Sequence, residues 1–154
     1  MKELVNKLID KNKTISTMES ATGGAVVSAI TNVDGSSHVL KFSAITYSNE
    51  YKIKMGVKKE TIDKYSVYSI QVAKEMSFNI SKFSNSNYGV GITGKLNRVD
   101  ENNLFGDDST VFISIYDRDN DKYYNEIVKA IKTNRIDNKR LVIDKIEELM
   151  LKII

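Results

Sequence analysis

The chain of 154 residues contains no cysteine, no proline, no tryptophan and a single histidine, His38. Without cysteine there is no disulfide, no thiolate nucleophile and no thiolate metal site. One histidine removes multi-histidine metal clusters, so any metal would have to sit on carboxylate oxygens, and the expectation is no metal and no cofactor. His38 lies among turn residues with no orienting pair nearby, which reads as a surface or capping imidazole. Without proline, every turn must draw on Gly, Asn, Asp and Ser. No apolar run approaches the length of a membrane span. The opening residues Met1 to Asp10 mix both charge signs where a signal peptide needs an uninterrupted apolar segment, so a cytoplasmic protein with no membrane partner is expected.

What is present is globular: 41% hydrophobic and 28% charged residues over a length that suits one domain, residues 1–154. The net charge of +3 comes from interspersed Lys and Glu with no basic block, so no nucleic acid is expected as a partner.

Periodicity orders the chain. Leu4, Val5, Leu8 and Ile9 recur at helical spacing, and Thr14 to Met18 alternates as a strand. Glu19-Ser20-Ala21-Thr22-Gly23-Gly24 then turns into a helix marked by Val26, Ala29, Ile30 and Val33. Asp34-Gly35-Ser36-Ser37 closes it. Val39 to Ser48 suits a half-buried strand and ends in the polar cluster Tyr47-Ser48-Asn49-Glu50-Tyr51-Lys52. Lys58 to Ser66 reads as a short helix or turn. From Ser69 a longer helix places Ala73, Met76, Ile80 and Phe83 on one face, with the Met and Phe expected in the core.

Tyr88 to Gly94 alternates apolar residues with glycine, as a strand does where something packs closely on its glycine face. Lys95 to Asp108 is a long polar loop, of the kind that serves as a lid or binding loop. Thr110 to Tyr116 and Tyr123 to Ala130 flank the turn Asp117 to Lys122 as a hairpin. Val142, Ile146, Leu149, Met150 and Ile153 mark a final helix. This alternation predicts an α/β fold: three layers, α/β/α, around a mixed, mostly parallel sheet of about five or six strands with a late antiparallel hairpin.

In such a fold ligands bind beyond the carboxyl ends of the strands, so Ser20, the Tyr47 to Lys52 cluster and Thr93-Gly94 converge on one crevice if the strands are neighbours. Ser20 and Thr22 are equally suited to capping the helix. The chemistry on offer is a serine, a tyrosine and a lysine. A Ser-Lys pair performs acyl transfer when the lysine is uncharged enough to accept the serine proton, which burial favours. Amides of the glycine turn would then bind an oxyanion or a phosphate.

Four ordered motifs, Glu19 to Gly24, Asp34 to Ser37, Thr46 to Lys52 and Gly91-Ile92-Thr93-Gly94, resemble those of the CinA C-terminal domain family. The resemblance covers nearly the whole chain and implies a stand-alone version without the molybdopterin-binding-like domain that many members carry in front. Members are known as nicotinamide-nucleotide amidohydrolases, which convert nicotinamide mononucleotide to the nicotinic acid nucleotide and ammonia. The resemblance implies Ser20 as nucleophile, Lys52 as its base and Tyr47 as a neighbour that orients or relays the proton. It implies Thr22, Gly23, Gly24, Asn49, Thr93 and Gly94 as substrate-site residues, Arg135 as a phosphate contact, and a homo-oligomer.

The likeness fails at one helix start, where the family resembles Val-Ser-Glu and this chain has Tyr68-Ser69-Ile70, and in one loop. After the Thr-Gly pair the family resembles Ile-Ala-Gly-Pro followed by a glycine pair, and later Pro-Val-Gly-Thr-Val; this chain has Lys95-Leu96-Asn97-Arg98 and Asp107-Asp108-Ser109-Thr110-Val111. Lys95, Asn97 and Arg98 become candidates for side-chain phosphate binding. The alternative function is a catalytically degenerate nucleotide-binding module that kept the fold and lost turnover. A DNA-associated role, suggested by the family's link to competence and damage response, rests on association alone.

Overall fold

The computed structural model describes all residues, Met1–Ile154. In chain order the elements are α1 (Lys2–Asp10), β1 (Ile15–Glu19), α2 (Ala25–Thr31), a 3-10 turn (Ser36–His38), β2 (Leu40–Ile45), α3 (Asn49–Lys54), α4 (Lys59–Tyr65), α5 (Ile70–Ser84), β3 (Tyr88–Gly94), β4 (Thr110–Asp117), β5 (Lys122–Lys129) and α6 (Arg135–Ile153). The five strands form one sheet in the order β2-β1-β3-β4-β5. β1 pairs in parallel with β2 and β3, while β4 runs antiparallel to both β3 and β5. Four strands therefore point one way and only β4 opposes them, which is the mixed, mostly parallel sheet with a late hairpin that the sequence predicts.

Helices cover both faces. On one side α1, α2 and α6 bury Leu4, Leu8, Ile30, Val142 and Ile146 against Ile15, Ile92, Ile113 and Ile115 of the sheet. On the other α5 buries Val72, Met76 and Ile80 with Met18 and Val57. The central strands β1 and β3 are buried along their whole length because each is flanked by strands and roofed by helices. No helix is long and apolar enough to cross a membrane.

The glycine face of β3 meets α5. A Cβ added at Gly89 would lie 2.0 Å from the Ser77 carbonyl oxygen, and one at Gly91 would lie 2.2 Å from that of Ala73. The helix sits so close that the side chains it turns inward are small: Ala73, Ser77 and Ser81 are fully buried. This corrects the expected core position of Phe83. That side chain is 66% exposed, rotated to the rim of the helix, where its ring rests 5.1 Å from that of Phe42. His38 lies at the surface, its Nδ1 3.1 Å from the Gly35 carbonyl.

A second difference places the functional segment. The polar cluster expected to close the strand runs into a helix, α3, from Asn49. Ser48 caps it, its Oγ accepting from the Tyr51 amide at 3.3 Å. The turn of helix points Lys52 into the protein.

The close approach of α5 to β3 predicts that Gly91→Ala costs roughly 1–3 kcal/mol, since the added methyl meets backbone that cannot yield without moving the helix. Urea unfolding checks this, and a variant within about 0.5 kcal/mol of the parent would show that the contact is slack.

Candidate active site

Beyond the carboxyl ends of β1, β2 and β3 lies a cleft of about 440 Å³, a size that takes small molecules. Ser20 follows β1 directly and its amide donates to the Ile92 carbonyl of β3, fixing the turn to the sheet. Ser20 lines the cleft. Behind it, Lys52 is 1% exposed. Its Nζ stands 3.0 Å from Ser20 Oγ and donates to the Thr46 carbonyl at 2.7 Å. Burial pulls the lysine down from 10.5 to about 8, and the negative charge of Asp100 partly opposes that shift. A large fraction of Lys52 is therefore an uncharged amine at mildly alkaline pH, aimed at the serine hydroxyl.

The glycine turn is organised by a residue that periodicity does not single out. Glu19, the last residue of β1, is fully buried. Its carboxylate accepts from the Thr22 hydroxyl at 2.7 Å and from the amides of Gly24, Val26 and Val27 at 2.9, 3.2 and 2.8 Å. The start of α2 is thus capped from inside the protein. Gly23 and Gly24 adopt left-handed φ of 60° and 92°, which is what lets the chain fold back over Glu19.

These bonds redistribute the expected roles. The Gly24 amide is spent on Glu19 and the Gly23 amide on the Ser20 carbonyl, so the two glycines offer no donors to a ligand. Thr22, Gly23, Gly24 and Thr93 do not line the cleft. Thr22 holds Glu19, and Thr93 is buried and donates to the Val67 carbonyl at 2.9 Å. The amides of the turn that have no protein acceptor are those of Ala21 and Thr22, and Ala21 faces the cleft next to Ser20. An amide beside the nucleophile is the position an oxyanion donor occupies.

Tyr47, Asn49, Gly94 and Arg135 do line the cleft with Ser20. Tyr47 stands at its mouth, 66% exposed, with its hydroxyl bonded to neither Ser20 nor Lys52. Asn49 is tied across the opening to Asn103, Nδ2 to Oδ1 at 2.9 Å. Arg135 opens α6, exposed and without a carboxylate partner.

The divergent loop forms the far wall, through Lys95, Leu96, Arg98, Val99, Asp100, Asn102 and Asn103. Lys95 is neutralised by Asp108 at 2.7 Å and lies over the Tyr68 ring. Asn97 is exposed outside the cleft wall, donating to the Lys132 carbonyl. Of the three residues expected to bind phosphate from this loop, only Arg98 presents an unpaired cation to the cleft. No three His, Asp or Glu side chains gather as a metal site would need.

Burying a lysine has a cost whose pH dependence is fixed by sign. The unfolded chain, with Lys52 near 10.5, binds more protons than the folded one between pH 8 and 10.5, so stability rises with pH across that window and the full penalty applies below 8. The displacement is worth roughly 3 kcal/mol, offset by about 1 kcal/mol for each of the two hydrogen bonds. Lys52→Met is predicted to resist urea better than the parent at pH 6.5 by about 1 kcal/mol, with the advantage shrinking by pH 10. A variant weaker than the parent at pH 6.5 would contradict the charge penalty.

The chain matches the CinA C-terminal domain family over residues 1–149. It is 47% identical over 96 residues to a competence-damage inducible protein of Clostridium kluyveri, covering 61% of this chain and 23% of that one. It is 43% identical over 111 residues to a CinA-like protein of Flavobacterium psychrophilum, covering 70% and 26%. The chain therefore spans about a quarter of the length of these curated relatives. Among solved structures it superposes on the competence/damage inducible protein CihA of Agrobacterium tumefaciens with a TM-score of 0.84, at 25% identity over 98% of this chain and 93% of that one. A CinA superfamily protein of Escherichia coli shares the fold with a TM-score of 0.86, at 20% identity over 99% and 87%. With sequence match, fold and strand-end motifs agreeing, the chain belongs to the CinA C-terminal domain family.

Proposed function

We propose that this protein is an amidohydrolase that deamidates nicotinamide mononucleotide through an acyl-enzyme on Ser20. The observation that carries the reading is the buried Lys52 amine 3.0 Å from the Ser20 hydroxyl, with its proton affinity lowered by burial. Uncharged Lys52 takes the Ser20 proton as Oγ attacks the carboxamide carbon, and the oxygen that gains charge meets the free amide of Ala21. Collapse of the tetrahedral species breaks the C–N bond. Lys52 returns the proton to the departing nitrogen, releasing ammonia and leaving an ester on Ser20. Water, deprotonated by Lys52, then attacks the ester, and Ser20 recovers its proton as the carboxylic acid leaves. Arg98 and Arg135 supply charge for the phosphate, and Tyr47 and Asn49 line the path to the serine.

Incubation with nicotinamide mononucleotide is predicted to release ammonia, with kcat/KM rising with pH to a plateau through an apparent value near 8, the point at which Lys52 loses its proton. Ser20→Ala is expected to lower kcat by at least 1,000-fold, on the order of what losing a nucleophile costs. Nucleotide binding without ammonia release at any pH from 6 to 10 would instead identify a binding module that has lost turnover.

A further inference from the structure

Asp100 is the only carboxylate among the residues that line the cleft. It accepts from the Tyr68 hydroxyl, from Asn103 Nδ2 at 2.9 Å and from the Asn102 amide at 3.0 Å. All three donors are neutral, and no Lys or Arg lies within ion-pair distance of it, whereas nearby Lys95 is already paired with Asp108. Burial alone would raise its pKa, yet the hydrogen bonds from Tyr68, Asn103 and Asn102, with the charge of Lys95, hold it below the usual carboxylate range. The result is a fixed, ionised, half-buried carboxylate with no cation within ion-pair distance, in the same cleft as the nucleophile. Such a charge is costly to keep unless something of opposite sign visits it.

We propose that Asp100 is the counter-ion for a quaternary ring nitrogen, so that the cleft selects positively charged N-substituted pyridinium amides over neutral amides of the same shape. The assignment rests on the hydrolase reading only for the identity of the ring. The cleft carries charge of both signs, the carboxylate of Asp100 and the guanidinium groups of Arg98 and Arg135, which have no carboxylate partner. That pattern complements a ligand that joins a cationic ring to an anionic phosphate. There is also a consequence for the base. The charge of Asp100 opposes the deprotonation of Lys52, and a cation lying against Asp100 cancels that opposition just when the base is needed.

Equilibrium titration of the Ser20→Ala protein, which cannot turn over, with nicotinamide mononucleotide and with its reduced, neutral dihydropyridine form tests this. Both ligands carry the same ribose and phosphate. The oxidised form is expected to bind roughly five- to tenfold tighter, as one partly solvated ion pair provides. In Ser20→Ala/Asp100→Asn its Kd should rise to that of the reduced form, whose own Kd stays unchanged, and Asp100→Glu should retain most of the preference. Absence of a preference, an unchanged ratio in the Asn variant, an equal loss for both ligands, or no binding of either would overturn the proposal. The readout is binding, so a parent that binds with this ratio but releases no ammonia would sink the hydrolase reading and leave the role of Asp100 standing.

Discussion

A single buried amine sets the terms for the rest of the site. Lysine is almost never fully buried without a reason, because taking its charge out of water is expensive. Here Lys52 is enclosed with only the Thr46 carbonyl and the Ser20 hydroxyl as partners, and the structure contains no carboxylate paired with it. The protein therefore pushes the group toward its neutral form and points it at an alcohol. A structural lysine would be relieved by an ion pair, whereas a base is not.

Keeping that geometry involves three separate stretches of chain. The turn after β1 supplies Ser20, the end of β2 supplies the Thr46 carbonyl, and the short helix α3 delivers the amine. Glu19 joins them at the level of the backbone: by absorbing the amides that open α2 it locks the turn, and it leaves the amides of Ala21 and Thr22 as the free donors beside the serine. The cleft lining carries both signs of charge, with Arg98 and Arg135 as cations that have no carboxylate partner and Asp100 as its only carboxylate. The loop after β3 supplies Arg98 and Asp100, so it sets the charge of the cleft, while the Ser20–Lys52 pair is held by other segments.

The sheet and its helices are legible in the sequence because period-2 and period-3.6 patterns report burial directly, and the alternating glycines at 89 and 91 announce a close neighbour, which the structure identifies as α5. Phe83 was misread for a related reason. Its spacing from Met76 and Ile80 is right for a core face, but the glycines draw α5 so near that the inward row becomes Ala73, Ser77 and Ser81, and the phenylalanine is displaced to the rim. The helix α3 escaped notice because the side chain it buries is a lysine, so no apolar period announces it, although Ser48 and Glu50 are ordinary signals of a helix start. Ser20 and Lys52 were found by chemistry and family likeness, their distance by neither. Glu19 was passed over because a carboxylate at a strand end looks solvated until three amides and two hydroxyls arrive around it, which only the folded turn reveals.

Lys52 gives up its proton well below an ordinary lysine. Direct titration of lysine Cε resonances in selectively 13C-labelled protein measures that without reference to any substrate. One resonance is expected with a midpoint near 8, missing from the Lys52→Met spectrum. A spectrum in which every lysine, Lys52 included, titrates above 10 would contradict it.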